Sequence, residues 1–204
     1  MEKGKSLLEQ YLHPIKTYKE YQSFKQCAEF IEAIKNKEYK FEDQYTSLSK
    51  LSYATMMASP LEFSCTDNPK RMGLNDDIAG VYIDSDGGII LLNSSKLKTN
   101  KDLERTFLHE MIHVIDDINE PKNIKGFNIS QMKEWEFKKS VCSEIRANYY
   151  VDCINEKTKV ARKNCTLRES LSSIETLYPK VHKPMHVAHT YFEECLDAHW
   201  YSVL

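Results

Sequence analysis

Between Lys98 and Asp117 the chain reads KTNKDLERTFLHEMIHVIDD, and no other stretch restricts the fold as much. Leu103, Phe107, Met111 and Ile115 recur every four residues, which on an α-helix makes one apolar stripe that has to be buried. His109 and His113, also four apart, share a second face and can aim ring nitrogens at a single point. Thr99 and Asp102 have the spacing of a capping box with Asp in place of Glu, so the helix should start near Asn100. Such a helix anchors in a core by one face and offers two imidazoles to a cleft by another.

The pattern His109-Glu110-x-x-His113 has the spacing of a zinc site, because two imidazoles on one helical face can each hold an ion at about 2.0–2.1 Å. Glu110 is rotated by roughly 100° from His109, too far to join the same coordination sphere comfortably. It can still reach a water held beside the ion, which is the geometry of a general base. A catalytic zinc also needs a third protein ligand and an open position. Glu144, 31 residues beyond His113 in CSEIRANYY, is one candidate. Asp116 is another; it could equally orient a ligand from behind or be a solvated residue near a helix end. His182, His186 and His189 complete the set, although Pro184 interrupts the spacing of the first two.

Composition removes whole classes of function. With 28 basic and 30 acidic residues and a net charge of -2 over 204 residues, there is no broad cationic surface, and nucleic acid is not expected as a partner. The longest aliphatic run, Ile89 to Leu92, is far short of the roughly 20 apolar residues of a membrane-spanning helix, so any membrane association is expected to be peripheral. The first residues lack the apolar centre of a secretory signal, and Glu2, Glu9 and Glu20 interrupt a transit-peptide composition. Import into an organelle would need another signal. Six cysteines without a CxxC pair argue against a zinc ribbon or a thioredoxin-like motif, leaving buried thiols or disulfides.

The patterning predicts an α+β fold, mostly helical, with a small β-hairpin or sheet beside the motif helix. From about Ser6 to Lys50 the spacing is helical, broken at His13-Pro14, with Cys27, Phe30, Ile31 and Ile34 on one face. SPLEFSCTDNPKRMGLNDD, residues 59–77, reads as a connecting loop, which divides an N-terminal helical arm (1–60) from a core with C-terminal helices (61–204). In IAGVYIDSDGGIILLNSS, apolar and β-branched runs flank Asp84-Ser85-Asp86-Gly87-Gly88, the signature of a hairpin. A polar stretch after Glu120 should loop before a helix over KKSVCSEIRANYYVDCINEKTK, residues 138–159. From Leu167 onward the chain is largely helical, with Pro179 and Pro184 interrupting it.

FLHEMIHVID, followed by CSEIRAN and then Cys153, resembles the mitochondrial inner-membrane-associated zinc metalloproteases that process an ATP synthase subunit and assist that enzyme's assembly. In that family an FSC element, a hairpin, H-E-[LM]-I-H-x-x-D and C-[ST]-E-[IV]-R-A follow in the same order. Here they correspond to Phe63–Cys65, GVYIDSDGGIILLN, His109–Asp116 and Cys142–Ala147. This chain departs from the pattern in having Asp117 and Ile118 where the family carries a cysteine after the motif aspartate.

The resemblance implies a zincin-like fold and a zinc-dependent endopeptidase with His109, His113 and Glu144 as ligands and Glu110 as the base. Tyr149, Tyr150 and His186 are the candidates for supporting the oxyanion, and the strand at Ile89–Asn93 for pairing with an extended substrate. It further implies a protein substrate or partner among inner-membrane complex subunits, and residence in the mitochondrial intermembrane space. The alternative is a non-catalytic subunit or assembly factor of a respiratory or ATP synthase complex. An oxidising compartment turns the six cysteines into expected disulfides. Six cysteines allow 15 pairings; Cys142 and Cys153 would stand about 16 Å apart on one continuous helix, too far to bond each other. The pairing favoured is Cys153 with Cys165 and Cys142 with Cys195, with Cys27 and Cys65 as a third.

Overall fold

The computed structural model describes residues 18–72, 74–84, 87–119, 129–178 and 184–197. Six helices and a three-stranded sheet are formed by them: α1 Tyr18–Lys35, α2 Thr46–Ala58, β1 Glu62–Thr66, β2 Gly80–Ile83, β3 Ile89–Asn93, α3 Asn100–Asn119, α4 Ile129–Ala147, α5 Lys159–Leu177 and α6 Pro184–Leu196. The class is α+β, mostly helical, with the sheet packed against the motif helix α3.

α3 starts where its cap dictates. Thr99 N and Oγ1 both donate to Asp102 Oδ2, at 3.0 and 2.8 Å, and Asp102 N returns a bond to Thr99 Oγ1 at 3.1 Å. Leu103, Phe107, Met111 and Ile115 are all buried, as their spacing requires, and Leu108, Ile112 and Val114 are buried with them. α3 is therefore the central helix. Phe107 meets Phe30 of α1 edge-on at 5.8 Å, and Phe41 and Phe63 lie around the same ring at 6.2 and 5.7 Å. A second apolar cluster joins α4, α5 and α6 through Val141, Ile145, Leu167, Ile174 and Phe192. α4 spans both clusters, since Ala147 and the following Val151 belong to the first.

Three elements differ from the sequence expectation. Where periodicity carries one helix on to Lys50, the chain forms α1 and α2, because α1 closes in a Schellman arrangement: Glu38 N bonds Ala33 O at 2.8 Å and Lys37 N bonds Ile34 O at 3.0 Å. Lys37 takes the left-handed conformation there, with φ 60°, a place normally given to glycine. The stretch read as a loop contains β1, which pairs in parallel with β3 from Glu62↔Ile89 to Thr66↔Asn93. Its five residues form a strand because β3 supplies the partner. The third helix of the reading begins earlier, at Ile129 rather than Lys138, and ends earlier, because Thr158 caps α5 by accepting from Ala161 N. Residues 120–128 of the expected polar loop, Pro179, His182, the break at His13-Pro14 and the turn residues Ser85 and Asp86 lie outside the described residues.

The expected hairpin is present as β2 and β3, antiparallel from Gly80↔Leu92 to Ile83↔Ile89. The sheet order β1-β3-β2 places β3 in the centre, so Ile89–Asn93 has a neighbour on each side and cannot receive a substrate strand. That expectation is corrected: among the described strands, the edge next to α3 belongs to β2.

All six cysteines are paired, as Cys27–Cys65, Cys142–Cys195 and Cys153–Cys165. The first joins α1 to β1, the second α4 to α6, and the third closes the hairpin between α4 and α5.

Candidate metal centre

A cleft of about 1000 Å³ runs between β2, α3, α4 and α5. One row of α3 residues, each a turn from the next, lies along it: Arg105, His109, His113 and Asp117. Each meets a partner from α4 or the turn that ends it. Asp152 Oδ1 stands 2.6 Å from Arg105 Nε, and Asp152 Oδ2 lies 2.6 Å from His109 Nδ1. His113 Nδ1 bonds Ser143 Oγ at 2.7 Å, and Lys139 Nζ bonds Asp117 Oδ1 at 2.8 Å. Tyr82 adds a bond from β2, its hydroxyl donating to Asp117 Oδ2 at 3.2 Å. Two ion pairs thus bracket two histidines.

With both Nδ1 atoms engaged outward, the Nε2 atoms face inward, and Glu144 lies between them. His109 Nε2 is 3.7 Å from Glu144 Oε2, and His113 Nε2 is 3.6 Å from Glu144 Oε1. These spacings are longer than hydrogen bonds. They approach the roughly 3.3–3.5 Å that separates two ligand atoms arranged tetrahedrally around an ion at 2.0–2.1 Å. Glu144 is buried, and its Oε2 has no hydrogen-bond partner, an arrangement that costs free energy unless something charged binds there. One ligand atom from each of His109, His113 and Glu144 falls within 4.8 Å of the others, so the three could hold a metal ion.

The electrostatics agree with the geometry. Burial alone would lower the His109 imidazole, but Asp152 and Glu144 outweigh it and hold its pKa well above the usual histidine value. Burial alone would raise the Glu144 carboxyl, yet His109 and His113 bring it down to about 2. Glu110 behaves in the opposite way. It is pushed up, chiefly by burial, with Glu144 adding to the effect and the two histidines opposing it. Its side chain lies against β2, whose backbone at Tyr82 also opposes the rise. That approach depends on Gly80, at which a Cβ would stand 2.6 Å from Thr106 Cγ2 and 3.1 Å from Glu110 Oε1.

The four principal site residues of the sequence reading, His109, Glu110, His113 and Glu144, all line this cleft. The secondary candidates among the described residues do not join the group. Asp116 is buried facing away, bonded by Arg146 Nε at 2.9 Å, so it is neither a ligand nor a solvated end residue. His186 and His189 are exposed on α6. Tyr149 and Tyr150 do not line the cleft; the Tyr149 ring carries the Arg162 guanidinium at 3.9 Å.

Asp152 and Ser143 escape the sequence reading. A helix-borne carboxylate after Glu144 is a visible signal for the first, but its register is not. On an uninterrupted α-helix, eight residues end about 80° past the starting face. Here residues Asn148–Asp152 form a π-turn, closed by Cys153 N to Asn148 O at 2.8 Å. The one extra residue in that turn takes back roughly 100° and returns Asp152 to the Glu144 face.

Two histidines from one helix, a carboxylate from a second and a separate buried glutamate make a cleft suited to metal-dependent hydrolysis. The chain belongs to the Peptidase M76 family, whose model matches residues 25–199. No curated protein and no solved structure matches it.

Proposed function

We propose that this peptidase is a zinc-dependent endopeptidase in which His109, His113 and Glu144 hold the ion and Glu110 is the general base. The observation that carries this reading is the convergence of three donors on one point, two half-buried histidines and the buried Glu144, with Glu144 Oε2 left without a hydrogen bond. When bound, zinc supplies Lewis-acid polarisation of the scissile carbonyl and makes water acidic enough to attack near neutral pH. Glu110 takes the proton of the attacking water and delivers it to the departing amine. Its raised pKa suits a group that must keep that proton until the C–N bond breaks. β2 borders the cleft, and no other strand among the described residues lies on its outer side. An extended peptide can add there by main-chain hydrogen bonds.

We further infer that it works in the mitochondrial intermembrane space at the inner membrane, acting on an ATP synthase subunit. Support comes from the motif resemblance and from the pairing of all six cysteines, which suits an oxidising compartment. No helix among the described residues is long and apolar enough to cross a membrane.

The test compares wild type with Glu110→Gln for zinc content and peptide cleavage. Both should hold about one equivalent of zinc, while the variant loses at least 100-fold in turnover. Unchanged turnover would reject Glu110 as the base. Equal inactivity, with both proteins entering a larger complex, would favour the non-catalytic subunit.

A further inference from the structure

We propose that Asp152 is a positioning residue for His109, set in place by the π-turn Asn148–Asp152, and that it fixes the imidazole as the Nδ1–H tautomer with Nε2 turned towards Glu144. The inference rests on the zinc-centre reading above.

The two histidines are held differently. His113 Nδ1 meets a serine hydroxyl, which can donate or accept and therefore does not select a tautomer. His109 Nδ1 meets a carboxylate, which only accepts, at 2.6 Å. Asp152 has little freedom to turn away, since its side chain is 11% exposed and its other oxygen stands 2.6 Å from Arg105 Nε. The turn that places it is itself tied down. Asn148 Nδ2 donates to Glu144 O at 2.8 Å and approaches Ser170 Oγ at 3.3 Å, so the residue opening the π-turn is bonded to the peptide unit of Glu144. One helix end therefore carries a ligand and, two turns later with the second one widened, the group that orients another. A carboxylate behind a ligating histidine fixes its ring and raises its basicity.

The experiment uses the oxidised full chain. Zinc affinity is measured by chelator competition for wild type, Asp152→Ala, Asp152→Asn and Arg105→Gln, with circular dichroism and disulfide mapping confirming the fold. Asp152→Ala should bind zinc roughly 10–100-fold more weakly, and Asp152→Asn should fall between it and wild type, because its amide oxygen still accepts but carries no charge. Arg105→Gln leaves the histidine contact in place and should lose at least fivefold less than Asp152→Ala. Equal losses in Arg105→Gln and Asp152→Ala would overturn the inference, because the ion pair alone would then account for the effect. So would an affinity of Asp152→Ala within twofold of wild type. A second measurement needs no variant: long-range 1H–15N spectra of the zinc-loaded wild type should show His109 protonated at Nδ1. Protonation at Nε2 would overturn the inference while leaving the zinc centre standing. Absence of zinc from wild type would overturn the zinc reading and this inference together.

Discussion

Arg146 Nε lies 2.9 Å from the carboxylate of Asp116, and the two side chains are 4% and 1% exposed. The pair joins α3, which carries both histidines, to α4, which carries Glu144, on the side away from the cleft. Arg146 Nη1 also donates to Cys195 O at 3.0 Å, drawing α6 into the same junction. Removing the carboxylate breaks a buried ion pair, which costs on the order of 3–5 kcal/mol. Asp116→Ala is therefore expected to unfold at clearly lower denaturant concentration than wild type, by about that amount. A loss under about 1 kcal/mol would mean that this pair adds little to the junction of the two helices.

Zinc binding should be linked to protons, with a definite sign. In protein stripped by a chelator, the raised pKa of His109 makes its ion pairing with Asp152 and Glu144 stabilising below the ordinary histidine value and lost as pH rises through the folded value. Glu144 contributes above the ordinary carboxylate value and loses that contribution as pH falls towards about 2. Zinc requires neutral imidazole, so it has to displace the His109 proton, and its apparent affinity should rise by up to about tenfold per pH unit below that pKa. Calorimetry at pH 7 in two buffers of different ionisation enthalpy should register release of close to one proton. No release would indicate that His109 is neutral before the metal arrives.

The three disulfides should not matter equally to the site. Cys142 immediately precedes Ser143 and Glu144, and its bond to Cys195 anchors that turn of α4 to α6. Cys27–Cys65 joins α1 to β1, away from the histidines. Replacing Cys142 and Cys195 together by alanine is expected to reduce zinc affinity as well as to lower stability by roughly 2–4 kcal/mol. Replacing Cys27 and Cys65 should lower stability alone. Chelator competition on both double variants would separate the cases, and equal effects on zinc would refute a special role for the α4–α6 bond.

Lys37 offers a test in the stabilising direction. A side chain in the left-handed region costs about 1 kcal/mol that glycine avoids. Lys37→Gly should raise the denaturation midpoint by a stability gain of that order, without altering zinc content. A loss of stability would mean that the lysine side chain makes a compensating contact.

The parts legible in the sequence were those encoded within a few turns or by pairwise chemistry. The buried stripe of α3, its Thr99–Asp102 cap and the facing of His109 and His113 follow from a period of 3.6 residues and needed nothing distant. The β2–β3 hairpin is a local turn between two apolar runs. Glu144 is legible from its place on a second helix and from motif resemblance. The resemblance makes disulfides expected, and helix length with the short Cys153–Cys165 separation favours the pairing of the four C-terminal cysteines.

Tertiary structure alone decided the remainder, because its causes are separated along the chain. β1 is a strand only because β3 lies beside it, and that same pairing moves β3 from an edge to the centre of the sheet. Lys37 ends α1 in a conformation that its residue type does not announce. Asp116 faces Arg146 rather than the cleft because α4 packs on that side of α3. Asp152 reaches His109 across 43 positions, and Ser143 reaches His113 across 30, through a helix crossing and a π-turn that no local pattern specifies. Short-range periodicity set which face each residue occupies, whereas the packing of one helix on another set what that face meets.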